Sequence, residues 1–389
     1  MARRDGLQRQ LVDARATMAS GQVRESTQWL NPTIEWRREN LGSPLQPDIF
    51  ATAYVPFDLS GRRLALRGAG QAGQQRVESD AMAERRAADL HVAQSWLDAA
   101  ANTELAAVMR GQASALAELA RIDSVRVREG LVAEAVGLRT SIEADRAQLA
   151  AVRADRDAAQ SLVSLSRQLG TSIVGAMLAA LTTPVLPAAP DSVFAVDHAR
   201  RSRPELRARE AAVLEARRRL AAEQRGVLGE VQLQGGTKET SGFMTGQLGV
   251  AMPLPLFNRN DGARARATGG LREATVLQRD ALLALRGEVE RTRQHYMKVQ
   301  STMTAAVTFD QRATALVESA RVAYREGHMT LTELLDAERA AVDARTLHRQ
   351  WLVEAWMARL TLELTLGGRL DSDSPLDLPV ISNSSPDRR

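Results

Sequence analysis

Apolar residues along this chain recur at two spacings. Long tracts place them every three or four residues, the period of a helix with one buried face, and four short stretches alternate them with polar residues, the period of a strand with two unlike faces. A helical tract rich in Ala, Arg, Gln and Glu covers roughly 5 to 30. Strands are expected near 32–40 (PTIEWRREN) and 49–57 (IFATAYVPF), followed by the turn PFDLSG, punctuated by Pro56 and Gly61, and a helix over 61–129. A returning helix fills 131–170, and 171–198 reads as a linker. From 199 the order starts again with a helix and with strands near 230–238 and 242–252. The turn PLPLFNRNDG (253–262), a helix over 262–326, a returning helix over 328–367 and a tail of 368–389 follow. In that second turn Pro253 and Pro255 stop the strand and Phe257 lies on the way out. Gly262 opens the helix, with Asn260 or Asp261 as its cap.

The chain is therefore one unit written twice, over 1–170 and 199–367, in register where VREG (127–130) overlies YREG (324–327). Each long helix measures about 100 Å at 1.5 Å per residue. Their expected lengths, 69 and 65 residues, differ by close to one helical turn, so the buried face keeps its phase. Each ends at a glycine, Gly130 or Gly327, suited to the left-handed residue that closes a helix. Rods of that length serve something long and hollow or long and fibrous, not a compact soluble domain.

The strand candidates bear on which. Met244, Leu248, Val250 and Met252 alternate with Phe243, Thr245 and Gln247, and Val231 and Leu233 alternate with Glu230, Gln232 and Gln234. One apolar and one polar face over about ten residues is the pattern of a membrane β-strand, with a soluble hairpin capping each helical pair as the alternative. Seven of the 14 aromatics (Trp29, Trp36, Phe50, Tyr54, Phe57, Phe243, Phe257) fall within 29–57 and 243–257, where a lipid interface would want them. Four strands cannot close a barrel, and an open edge cannot face lipid, so copies of the chain would have to combine.

Composition narrows the reading. At 44% hydrophobic and 25% charged the chain is not disordered, and its 4% aromatic content suits helices packed along Ala, Leu and Val seams. Its net charge of +4 comes from 51 basic and 47 acidic residues, interspersed as in EARRRLAAEQR (215–225). That pattern is a solvated helix face rather than a nucleic-acid patch. Without cysteine the chain as given holds no disulfide, no thiolate metal site and no acylated cysteine; whether a lipidated cysteine stands upstream is left open. The opening MARRDGLQRQLVDARATM has no signal-like apolar run, and the longest apolar stretch, Ile173 to Leu181, is too short to span a bilayer as a helix. Five histidines (His91, His198, His295, His328, His348) show no ligand spacing, and GAGQAGQ (68–74) lacks a P-loop lysine. No catalytic set, cofactor site or metal site is read.

Three stretches carry a resemblance: PLPLFNRNDGARARA (253–267), AYREGHMTLTELLDAERAAVDAR (323–345) and PVLPAAPDSVFAVDHARRSRPELRARE (184–210). Over nearly its whole length the chain resembles the TolC family of outer-membrane efflux ducts. The first and last stretches look most like the CzcC-type branch associated with heavy-metal cation efflux. The resemblance implies a mainly α fold with a small β part, assembled as a homotrimer. Long periplasmic helical hairpins would form an α-barrel, and four strands per protomer a shared β-barrel in the outer membrane of a Gram-negative bacterium. It implies a periplasmic adaptor and an inner-membrane RND-type pump as partners, outer-membrane lipid around the barrel, and no nucleic acid. The adaptor would dock on the helix tips: Glu129, Gly130, Leu131 and Val132 in one repeat, Glu326, Gly327, His328 and Met329 in the other. Tyr324, Glu333 and Asp336 match the family's pore constriction, and Glu333 and Asp336, three apart on one helix face, would give stacked carboxylate rings in a trimer. Heavy-metal cations are the first expectation for cargo; drug-like small molecules, or a helical scaffold that never enters lipid, are the alternatives. The second repeat is entered through SVFAVDHARRSRPEL, which the first repeat lacks, so the chain is expected to be N-terminally truncated, its signal peptide missing.

Overall fold

A computed structural model of the chain describes residues 7–42, 47–175, 178–228 and 230–368. The tail expected over 368–389 lies outside the described residues from 369 onward. In chain order the elements are α1 (Leu7–Thr27), β1 (Thr33–Arg38), β2 (Ile49–Phe57), α2 (Arg62–Arg128), α3 (Glu134–Leu169), α4 (Ser192–Ser202), α5 (Pro204–Arg225), β3 (Val231–Thr240), β4 (Phe243–Ala251), α6 (Asp261–Arg325) and α7 (Leu331–Leu366). The helix–strand–strand–helix–helix order of the first half returns in the second.

The differences from expectation have local causes. Helix α4 begins inside the stretch read as linker, because Asp191 caps it: its Oδ2 accepts the backbone N–H groups of Val193 (3.0 Å) and Phe194 (3.4 Å). Pro204 then separates α4 from α5, so the opening helix of the second repeat is two helices. The returning helices start three residues later than expected, at Glu134 and Leu331, since the tip residues make a closing turn and Ala133 and Thr330 are extended. Strand β2 covers the expected 49–57, with Pro56 opposite Gln232, so the turn PFDLSG begins inside the strand. Asn260 precedes α6 at a φ of 61° with its carbonyl accepting from Arg264, but its side chain ties to Glu223 of α5 instead of capping the helix.

The four strands form one antiparallel sheet in the order β1-β2-β3-β4, so each repeat supplies a hairpin and the repeats join through β2 and β3, which pair from Ile49 opposite Glu239 to Phe57 opposite Val231. The pairing puts Ile34, Trp36, Ala51, Ala53, Val55, Leu233, Leu248 and Val250 on one face. The other face carries Glu35, Arg37, Thr52, Tyr54, Gln232, Gln234, Lys238 and Gln247, with Gln247 donating to Thr52 (2.7 Å) and Tyr54 donating to Glu35 (2.8 Å). Gly236 faces β2 so closely that a Cβ there would lie 2.2 Å from the Ala51 carbonyl oxygen. Strands β1 and β4 are its edges, with no further strand paired to either among the described residues.

By internal packing the chain divides into two compact units, one of 84–202 with 285–368, the other of 7–83 with 203–284. The repeats are thus not the units; each unit takes part of both. The second unit holds the sheet, with an alanine seam on α2 (Ala65, Ala69, Ala72) and Leu206, Ala208 and Val213 of α5 among its buried residues. In the first unit the irregular stretch before α4 finds its backbone partners in side chains. Tyr296 and Gln300 of α6 donate to the carbonyls of Pro187 and Leu186, and Trp356 and Arg359 of α7 to those of Thr182 and Val185, all at 2.7 to 2.9 Å. No helix is long and apolar enough to cross a membrane among the described residues.

Candidate functional site

Two helix turns close the hairpins α2–α3 and α6–α7, and they share one hydrogen-bond pattern. Gly130 has a φ of 73°; its N–H bonds the carbonyl of Val127 (3.0 Å) and that of Leu131 the carbonyl of Arg126 (2.8 Å). Gly327, at 81°, does the same with Tyr324 (3.1 Å), and His328 with Ala323 (2.8 Å). Both are Schellman closures, which leave the glycine in the left-handed region and satisfy the last carbonyls of the helix. Around them Glu129, Leu131 and Val132 in one turn and Glu326, His328 and Met329 in the other form the ends of the hairpins. The returning helices end in left-handed glycines too, Gly170 and Gly367, so both glycines of the second half stand 197 residues after those of the first (327 against 130, 367 against 170).

The three residues matched to a constriction are not gathered within the chain. Tyr324 is 7% exposed and points inward. Glu333 is a helix cap: its carboxylate accepts from the Thr330 N–H (2.9 Å) and hydroxyl (2.7 Å), while the Thr330 hydroxyl accepts from the Glu333 N–H. Those bonds from Thr330, side chain first and backbone second, hold the Glu333 carboxyl below its ordinary range. Asp336 is exposed, 3.6 Å from Arg339.

What Tyr324 meets is a buried acid that the sequence reading missed. Its hydroxyl donates to both carboxylate oxygens of Asp123 (3.1 and 3.0 Å), and Asp123 is wholly buried. The Thr140 hydroxyl adds a third contact at 2.8 Å, and the Arg126 guanidinium stands 3.6 Å from the same carboxylate and 5.8 Å above the Tyr324 ring. A charge without water is tolerated only when hydrogen-bonded and paired in this way. Burial, and then the bond to Asp123, push the Tyr324 hydroxyl up to about 12, so it remains a proton donor at any physiological pH. The link joins α6 of one repeat to α2 of the other. Leu119 and Leu331 pack beside it and bridge the apolar clusters that surround Leu116 and Leu334.

A second tie lies alongside. Arg321 of α6 holds Glu338 of α7 through two bonds, one of 2.9 Å from Nη2, with Glu338 5% exposed. Asp123 with Thr140 and Arg321 with Glu338 are each 17 residues apart, so each hairpin stem is pinned by one polar pair about two turns from its glycine. Arg339 of α7 also reaches Glu143 of α3 (2.9 Å), and Arg139 reaches Thr332 (3.2 Å), a further bridge between repeats. The legible signal for the buried acid was its place on a seam: Ala113, Leu116, Ala120, Asp123 and Val127 keep a three-four spacing, and Asp123 is the one charge on it. No cluster of three or more His, Cys, Asp or Glu that could hold a metal ion occurs among the described residues.

No protein-family model matches the sequence, and no curated protein matches it. Solved structures do. The chain is similar to CusC, studied for its folding and transmembrane channel formation, at 16% identity and a TM-score of 0.77, over 94% of this chain and 90% of that one. It is similar to the Campylobacter jejuni CmeC outer membrane channel at 16% identity and 0.77, over 96% and 85%. It is also similar to the outer membrane protein VceC of Vibrio cholerae at 17% identity and 0.75, over 95% of both chains. A mainly helical chain with one four-stranded antiparallel sheet, matched end to end at these scores, has the TolC-like fold.

Proposed function

We propose that the chain is the outer-membrane exit duct of a tripartite efflux system, acting as a homotrimer with a periplasmic adaptor and an inner-membrane RND-type pump, and that its first cargo is heavy-metal cations. The observation that carries the reading is the sheet. It is apolar on one face, polar on the other, only four strands wide, and bare at both edges, a combination that lipid accepts only when copies join edge to edge into a closed barrel. Helix α3 supports the assembly. Its buried residues Thr140, Ala147, Ala151, Ala158 and Leu165 occupy one side, while Leu138, Ile142, Leu149, Val152 and Val163 stand exposed on the opposite side, a second apolar seam that a neighbouring copy would cover. Metal cargo rests on the resemblance of residues 253–267 and on the name of no neighbour.

Transport energy comes from the pump, and the duct needs only to open. The Tyr324–Asp123 link holds two hairpins of one protomer together and is the latch that adaptor binding releases, while Asp336 and Glu333 supply negative charge near it. Heat-modifiable trimers with conductance in planar bilayers are the expected result, and a stable soluble monomer would overturn the reading. Asp336→Ala with Glu333→Ala is expected to weaken block by multivalent cations and raise resting conductance about two- to fivefold, since losing the Glu333 half of the capping box also costs α7 up to roughly 1 kcal/mol while Thr330 still caps the helix. Unchanged block removes both residues from the pore.

The tips make a separate prediction. Nothing lies within 4 Å of a Cβ placed on Gly327, so Gly327→Leu is opposed only by its left-handed backbone, at about 1 kcal/mol or somewhat more. The barrel is expected to form normally while cross-linking to the adaptor falls. Undiminished cross-linking would take the second tip out of the docking surface.

A further inference from the structure

At the end of the sheet where the helices begin, the chain turns its largest apolar side chains outward. β1 and β3 start there and β2 and β4 finish there, so the flanking residues gather at one rim. Trp29, Phe57, Leu59, Leu254, Leu256 and Phe257 are all exposed on it, Phe257 completely. Among the described residues they are left open to solvent, apart from Arg63 beneath Trp29, and Phe57 belongs to the apolar face of the sheet.

The charge beside this collar leans basic, and its cations are all arginine. Segments 24–30, 57–67, 223–230 and 254–266 contain eight arginines, five acids and no lysine. Three of the acids are engaged: Asp58 accepts the N–H groups of Ser60 and Arg63 at the start of α2, Glu223 holds Asn260 and Arg62, and Asp261 lies 3.6 Å from Arg264. Arg67, Arg259 and Arg266 are exposed; neither Arg67 nor Arg259 has an ion pair among the described residues, while the charge of Arg266 is felt by Glu223. Arg63 lies under Trp29, 5.3 Å from its ring, with a buried N–H group that finds no acceptor among the described residues.

We infer that this rim is a binding surface for anionic phospholipid: the collar enters the acyl region of the leaflet on the helix side, and Arg67, Arg259 and Arg266 take the phosphate headgroups. Charge complementarity and continuity with the apolar sheet face select the occupant. Guanidinium groups pair with phosphate in two-point geometry, and aromatic and aliphatic side chains one step deeper fix the depth. A protein partner would fit only if it set carboxylates opposite these arginines as well as burying the collar. The inference rests on the membrane reading above and adds to it a lipid class and the residues that recognise it.

The test uses the full chain with vesicles of phosphatidylcholine alone and with about 30% phosphatidylglycerol added, the surface charge to which basic side chains respond at about fivefold each. Wild-type protein is expected to bind the anionic vesicles about a hundredfold more tightly, and to lose most of that preference in about 0.5 M salt. Arg67→Gln with Arg259→Gln and Arg266→Gln should abolish the preference while leaving binding to neutral vesicles at the wild-type level. Leu256→Ser with Phe257→Ser should weaken binding to both. Equal wild-type binding to the two vesicles, or a preference that survives in the arginine variant, overturns this inference alone. Failure to bind either vesicle overturns it together with the duct reading.

Discussion

Asp123→Ala is expected to raise the resting conductance of the trimer about ten- to a hundredfold, and Tyr324→Phe by a smaller factor. The acid is the hub: without it the Tyr324 and Thr140 hydroxyls and the Arg126 guanidinium lose their shared acceptor in a dry site. Losing such a link removes roughly 1.5 to 3 kcal/mol from the closed arrangement, and each 1.4 kcal/mol is a factor of ten in the open-to-closed ratio. Phenylalanine at 324 keeps the ring packing, and Asp123 keeps Thr140 and Arg126, so less is lost. A spectroscopic check accompanies the conductance. Because the Tyr324 hydroxyl titrates near 12 rather than 10, its contribution is fully present below about pH 10 and disappears as pH rises towards 12. Absorbance of phenolate in wild-type protein, compared with Tyr324→Phe, isolates that group. If Asp123→Ala shifts the titration and lowers the melting temperature while conductance stays at its resting value, the network is a structural tie and not a latch.

The repeat, the long helices, the glycine closures and the two faces of the strands were legible because each rests on residues close in sequence. A period of two or of 3.6 needs only a dozen positions to declare itself. Gly130 and Gly327 are identified by local geometry alone, since a left-handed residue at a helix end almost demands glycine. The pairing of β2 with β3 is different: it joins residues about 180 apart, and no local pattern says which hairpin edge meets which. The Tyr324–Asp123 link is further out of reach, as the two residues are 201 apart and break the repeat that guided everything else. At the positions of Asp123 and Thr140 the second repeat has Ala320 and Ala337, both buried. The site thus lies where the two copies of the unit have diverged. Glu333 carries a local signal as well. Its motif, Thr330 with Glu333 three residues on, is a capping box, a structural use readable in the sequence beside the pore role that the resemblance implies.

The same divergence gives a prediction for stability. Arg321→Met should destabilise the α6–α7 hairpin by about 3 kcal/mol, because Glu338 would be left 5% exposed with its charge and no guanidinium to meet it. The bond to Glu338 is also what chiefly holds the Arg321 guanidinium above its ordinary range. Glu338→Leu alone should cost less, since Arg321 is half-exposed and can turn to water. Replacing both, Arg321→Met with Glu338→Leu, should return most of the loss: an apolar pair of similar volume between helices lined by Ala320, Leu334 and Ala337 avoids desolvating two charges. Thermal unfolding followed by helical circular dichroism on the four proteins completes the cycle, and the coupling should exceed about 1.5 kcal/mol. Additive effects of the two single changes would mean that the pair is screened by solvent, and that apolar packing alone sets the stem. Coupling in that hairpin, with conductance unaltered, would separate its function from that of Asp123: one polar pair holds a hairpin together, the other holds two hairpins to each other.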